Sequence, residues 1–235
     1  MKIIFSVLDR YDLWPHFRKH YQAQGVTQFV CVSYGPQLPG TLTVNAGITP
    51  CDFTGQKDAL LHNSLIYRII EPDEWFIIAD LDEFAEVPNM SLREATQEAQ
   101  SAGANHIRGI FYDRVTANGS IPTHLEDNIW QQFPLSTNAT SVICGGWAEK
   151  MVAIHGKIPV NGGHHDVHET VSEQYKRQWP TIAHVHHFKW WGKDMARFFW
   201  TRTHEPGIYR VELQRLVQHF NQHQGLDLTI LKQFE

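Results

Sequence analysis

Apolar residues along this chain come alternately in short unbroken runs and at helical spacing. The first run is Ile3–Leu8, the second Phe29–Ser33 and the third Trp75-Phe76-Ile77-Ile78-Ala79. Unbroken runs of that length read as strands buried on both faces of a parallel sheet, not as halves of solvated hairpins. Between the first two, Leu13, Phe17 and Tyr21 recur at helical spacing, which predicts a helix over Leu13–Gln24 stopped by Gly25. Residues 34–56 are rich in Gly, Pro and Thr and read as loop with room for a short strand. Lys57–Ile70 predicts a helix with Leu60, Leu61, Ser64, Leu65 and Ile69 along one side. Ser91 followed by Glu94 is a capping box and opens a helix to Ala102, and Asn105–Tyr112 is a further strand. This β-α-β-α-β-α-β order predicts a mostly parallel sheet with covering helices. After residue 113 the order dissolves. Residues 114–145 form a long excursion with turn signals at Asn118-Gly119 and Phe133-Pro134, and such loops are usually functional. Strand patterns return at Lys150–Ile154 and Thr181–Phe188, and helical ones at Arg197–Thr203 and Val211–Gln222.

Composition narrows the class. With 235 residues, 42% of them hydrophobic, one domain with a sizeable core is expected over 1–235. A formal charge of −5 gives no basic face for nucleic acid. Cys31, Cys51 and Cys144 are odd in number and widely separated, so they form neither a disulfide framework nor a zinc spacing, and a reducing compartment suits them. The apolar start is too short for a signal peptide and no stretch reaches the ~20 apolar residues of a membrane span. The expectation is a cytoplasmic protein, with peripheral contact at the inner membrane face left open. Fifteen histidines and eight tryptophans, concentrated toward the C-terminus, are in excess.

The candidate chemistry begins at Asp80-Leu81-Asp82-Glu83, directly after the third apolar run. Side chains alternate along a strand, so Asp80 and Asp82 point the same way, roughly 6–7 Å apart along the backbone. That places two hard oxygen ligands where α/β sheets open their binding crevice, and a divalent metal bridging a diphosphate would relieve their repulsion. Solvated acids at a strand end are the plain alternative. A second cluster is Gly162-Gly163-His164-His165-Asp166-Val167-His168, followed by His184-Val185-His186-His187. Imidazoles suit borderline metals and acid–base work, and on a strand His184 and His186 face together while His187 faces away. Hydrogen-bonded structural histidines are the alternative. Lys189-Trp190-Trp191-Gly192-Lys193, running into Arg197-Phe198-Phe199-Trp200-Thr201-Arg202, offers aromatic faces for sugar rings and cations for diphosphate. It equally describes a core helix with an amphipathic surface, or a membrane-docking face. Asp113, ending its strand beside Arg114, could take a proton from a hydroxyl or could form a structural pair. Lys57 could reach a phosphate, and Asn63 lines the same helix.

The runs Lys57-Asp58-Ala59-Leu60-Leu61-His62-Asn63 and Glu74–Phe84, the latter holding D-L-D-E-F, resemble the family 2-like glycosyltransferases with a D-x-D-E-F signature. Asp113-Arg114, Gln132-Phe133-Pro134, Glu149-Lys150 and Gly163-His164-His165 fall in an order similar to bacterial members. The likeness is loose over residues 1–190 and specific around 74–84. It implies a GT-A (Rossmann-like) α/β fold, with a nucleotide-sugar-binding half over 1–113 and a His/Trp-rich acceptor-side half over 114–235. It further implies a nucleotide-sugar donor, Mn²⁺ or Mg²⁺ on the D-x-D, and transfer to an acceptor, for which the tryptophans around 190–200 suggest a carbohydrate or a lipid-linked molecule. On this reading Asp9, Lys57, Asn63 and Asp80 bind the nucleotide sugar. Asp80 holds the nucleotide ribose or the metal and Asp82 the metal, with one of His164, His184 or His186 completing coordination. Asp113 or Asp166 deprotonates the acceptor, with inversion at the anomeric carbon. The chain departs from many members at Ser33-Tyr34-Gly35, where they carry an acidic residue, and in lacking an obvious late acidic base motif. Two rival readings use the His164, Asp166 and His186 cluster: a non-haem iron oxygenase, and a metal-dependent phosphoesterase using Asp80 and Asp82 as well. A non-catalytic nucleotide- or glycan-binding module is a third.

Overall fold

The computed structural model describes residues 1–7, 10–33, 37–45, 68–161, 164–168, 171–173, 176–192 and 208–234. The predicted helices over 57–70 and 197–203 therefore lie largely or wholly outside the described residues, as do Asp9, Lys57 and Asn63. The chain divides into two units, 1–110 with 149–185 and 111–148 with 186–235.

In the first unit, β1 (Lys2–Val7), β2 (Gln28–Ser33), β3 (Leu42–Asn45) and β4 (Trp75–Asp80) form a parallel ladder in the order β3-β2-β1-β4. Both faces are covered, which is why the strands read as unbroken apolar runs. Successive side chains point to opposite faces. Ile4 joins Val30, Phe76, Ile78, Ile154, Val160 and Val167 in one buried cluster. Phe5, on the other face, stacks on Trp14 (ring centroids 5.4 Å apart) and meets Phe17 of α1 (Trp14–Ala23). Phe17 in turn packs edge-on against Phe84 of β5 (Glu83–Glu86). Helix α1 ends where expected: Gly25 adopts φ +85°, and Val26 N–H donates to the Tyr21 carbonyl at 2.9 Å. Helix α2 (Leu92–Ser101) carries the predicted capping box, with Ser91 N–H donating to Glu94 Oε2 at 2.8 Å and Glu94 N–H to Ser91 Oγ at 3.3 Å.

The sheet is less uniformly parallel than the element order suggests. Strand β8 (Glu149–His155) runs antiparallel to β4, and β6 (His106–Val115) pairs antiparallel with β8 along 106–110, with a register shift between Ile107 and Arg108. A late strand thus enters beside β4, a long-range pairing that no local pattern encodes. Strand β9 (Ala183–His187) follows the predicted apolar-and-histidine segment.

In the second unit, the C-terminal part of β6 pairs antiparallel with β7 (Leu135–Thr137), and β7 with β10 (Gln233–Phe234). A short helix α3 (Ile129–Gln132), a π-helical turn (Thr140–Cys144) and helix α4 (Ile208–Gln222) complete it. Its core joins Val115, Ile143, Trp190, Leu213, Leu216 and Leu226. The 114–145 excursion is therefore structured, with its predicted turn at Gly119 (φ +74°) closed by Gly119 N–H to the Thr116 carbonyl at 3.1 Å. Among the described residues, no helix is long and apolar enough to cross a membrane.

Candidate functional site

The parallel register of β1 and β4 sets Ser6 beside Asp80. Both side chains lie on the same face as Ile4 and Ile78, one step beyond the apolar cluster, at the carboxyl ends of their strands. Ser6 Oγ donates to Asp80 Oδ1. Lys150, the second residue of β8, donates through Nζ to Asp80 Oδ2 at 3.0 Å and to Glu83 Oε1 at 2.7 Å. Glu83 Oε2 accepts from the Asp80 backbone N–H at 2.8 Å. Lys150 and Glu83 are 2% and 3% exposed, whereas 39% of the Asp80 side chain is open. Tyr21 anchors the base of this ring: its hydroxyl donates to the Glu83 carbonyl at 2.9 Å and accepts from Ala85 N–H at 3.0 Å.

The charges shift one another's ionisation in consistent directions. Desolvation works to raise the Asp80 pKa, but Lys150 first, then His164 and the Ser6 hydrogen bond, outweigh it and hold the carboxyl well below the usual carboxylate range. Burial alone would lower the Lys150 ammonium, yet Asp80 and Glu83 push it above the ordinary lysine value.

The motif does not continue the strand. Strand β4 stops at Asp80, Leu81 and Asp82 form a turn, and Leu81 N–H donates to the Ser6 carbonyl at 3.2 Å. A turn, not the pleat of a continuing strand, therefore sets Asp82 relative to Asp80. Asp82 Oδ2 lies 3.6 Å from Arg10 Nη1. Each acid of the pair therefore has its own cation, Lys150 for Asp80 and Arg10 for Asp82. Arg10 and His164 both hold left-handed backbone, at φ 64° and 59°. Histidine is among the residues that adopt this conformation more readily, whereas for Arg10 it costs energy, and such strain gathers at binding sites.

His164 is 4% exposed, and its N–H donates to the Asn161 carbonyl at 3.1 Å. The Asn161 side chain accepts from His165 and Asp166 N–H, both at 2.9 Å. Asp166 Oδ1 accepts from Val167 N–H at 2.7 Å and lies 3.8 Å from Arg108 Nη1, with 42% of its side chain exposed.

The remaining predicted residues belong to the second unit. Asp113 is 1% exposed and accepts three hydrogen bonds: from Thr140 N–H (2.6 Å), Thr140 Oγ1 (2.6 Å) and His187 Nδ1 (2.9 Å). Burial works to raise its pKa, but His187 first and then Thr140 bring it below the ordinary value. Phe111 stacks on His187 at 4.8 Å. His186, facing away as alternation requires, sits against Trp130 at 5.0 Å and Tyr112 at 5.8 Å. Trp190 and Trp191 are 1% and 7% exposed, so these two serve the core and offer no open face for a sugar.

The structure therefore gathers Asp80 with Ser6, Glu83 and Lys150, with His164 close by, and sets Asp82 beside Arg10. Among the described residues, no three His, Cys, Asp or Glu side chains converge as a metal cage. Ser6, Arg10, Glu83 and Lys150 carried no assigned role in the sequence reading. The available signal for Lys150 was a lysine opening the apolar run Met151–Ile154, a charge that must find buried acids.

No family model and no curated protein matches the chain. Among solved structures it is similar to UDP-glucose pyrophosphorylase complexed with UDP-glucose, at 8% identity and a TM-score of 0.31, over 94% of this chain and 99% of that one. A likeness of that size decides neither family nor activity.

Proposed function

We propose that this chain is a glycosyltransferase that takes a sugar from a nucleotide-sugar donor to an acceptor hydroxyl, with the donor's diphosphate bound at the carboxyl end of β4. The observation that carries the reading is Asp80, an ionised and half-open carboxylate fixed by Ser6 and Lys150 at that strand end, with Asp82 a turn away. Crevices at strand carboxyl ends are where open α/β sheets bind nucleotides. The residues also suit the implied ion: Mg²⁺ and Mn²⁺ are hard cations, commonly held by one or two carboxylates together with substrate phosphates, so Asp80 and Asp82 would suffice with His164 near. When bound, such an ion supplies Lewis-acid stabilisation of the departing diphosphate. Asp80 presents its remaining lone pairs to the ligand, and Arg10 brings a cation beside Asp82 for phosphate oxygens.

The acceptor hydroxyl must lose a proton as its oxygen bonds to the anomeric carbon and the bond to the diphosphate breaks. Of the two carboxylates expected for this, Asp166 is the one we carry forward. Its side chain is open to solvent, whereas Asp113 is buried under three hydrogen-bond donors. A screen of nucleotide sugars for release of nucleoside diphosphate tests the proposal. Turnover is expected with at least one donor, lost in Asp82→Ala with the fold unchanged and lowered in Asp166→Asn. Absence of turnover across the panel, or full turnover in Asp82→Ala, contradicts it.

A further inference from the structure

Resting on that reading of the β4 rim, we propose that Lys150, seated by Glu83, is a positioning residue that presets the Asp80 carboxylate for a nucleoside diphosphate and its divalent ion. Four groups close a ring. The Asp80 backbone donates to Glu83, Glu83 accepts from Lys150, and Lys150 returns to the Asp80 side chain. Ser6 holds the other Asp80 oxygen from the neighbouring strand. A carboxylate offers about four lone-pair sites, so two protein contacts leave about two for a ligand. Both oxygens are thus held from the protein side while 39% of the side chain stays open. The carboxylate plane is fixed before anything binds, and binding groups held in advance lose less entropy on complex formation.

Stability alone gives a poor account of this arrangement. A buried ion pair is often no better than the apolar side chains that could replace it. Lys150 is almost wholly buried, yet it directs one of its hydrogen bonds to the one acid of the ring that faces solvent. Lysine's three donors on a tetrahedral head can bridge two carboxylates while the stem stays in the core. Glu83 then has a purpose its burial would otherwise deny it: it balances the lysine and ties it to the strand end through the Asp80 amide.

The test is a double-mutant cycle on ligand affinity, using Lys150→Met, Asp80→Asn and the combination. Calorimetric titrations with UDP, GDP, ADP and CDP at fixed Mn²⁺, and paramagnetic resonance titration of Mn²⁺ alone, give the affinities. If Lys150 acts through Asp80, each single variant weakens binding by about tenfold or more, and the double variant is no weaker than the worse single one. Losses that multiply overturn the positioning role while leaving the proposed function standing. Wild-type protein that binds neither Mn²⁺ nor any of the four nucleotides overturns the function and this inference together. Should Lys150→Met fail to fold, Glu83→Gln/Lys150→Met removes both buried charges and takes its place in the cycle.

Discussion

Replacing Lys150 with methionine isolates the buried charge network as a structural element. Lys150 and Glu83 are 2% and 3% exposed, so the substitution leaves the Glu83 carboxylate buried without its cation. Removing one partner of a buried pair costs about 3–5 kcal/mol, chiefly the penalty of the stranded charge. Asp80 adds little to that sum because water reaches 39% of its side chain. The expected loss for Lys150→Met is therefore about 3–5 kcal/mol, or roughly 6–20 °C in Tm for a chain of this length. Glu83→Gln/Lys150→Met removes both charges and lets the glutamine carbonyl keep accepting from Asp80 N–H, so the loss should fall to about 1–2 kcal/mol. Urea unfolding followed by tryptophan fluorescence and far-ultraviolet dichroism, with matching m-values, reads both. A loss below about 1 kcal/mol for Lys150→Met, or a double variant no more stable than the single, refutes the picture of a buried, mutually dependent pair.

Gly109→Ala should destabilise by about 1–3 kcal/mol in the same assay, because a Cβ there meets Val185 at 2.6 Å, Val152 at 2.9 Å and the Ala183 carbonyl at 3.0 Å. Asp113 has a folded pKa below the unfolded value of about 3.9, so its contribution is present above that pH and fades as pH falls through the folded value. Asp113→Asn should therefore be less stable at pH ~7 and show a shallower further loss below about pH 4, read by denaturant unfolding across that range. His106, buried beside Asn105, has its pKa lowered to about 4, so it favours the fold above its unfolded value of about 6.5 and loses that contribution as pH falls from there to about 4. Substituting His106→Gln should flatten the stability profile across that window. Ser91→Ala should cost about 0.5–2 kcal/mol by removing the capping hydroxyl of α2.

Strands β1, β2 and β4 and helices α1 and α2 of the first unit were legible because each local signal agrees with its burial. Ile3–Phe5, Val7 and Trp75–Ala79 are apolar and buried, Gly25 occupies a left-handed position, and Ser91 with Glu94 closes a capping box. The antiparallel entry of β8 was hidden, since pairing between residues about eighty apart in the chain leaves no trace in local periodicity. Asp80 and Asp82 were found, but their relation was misjudged because the strand ends at Asp80, a boundary apolar runs do not mark. Lys150 was invisible as a partner for the same reason as β8: its acids lie on other elements. The tryptophans at 190 and 191 show the converse ambiguity, since an aromatic pair beside lysines fits a sugar platform and a core equally well, and here burial decides for the core.

The most direct measurement is a crystal of the protein soaked with Mn²⁺ and the nucleoside diphosphate that binds best. The account predicts an anomalous manganese peak against Asp80 or Asp82, with diphosphate density at the carboxyl end of β4 and the Asp80 side chain unmoved. Ligand density elsewhere, with Asp80 still closed on Lys150 and nothing beside it, would contradict it.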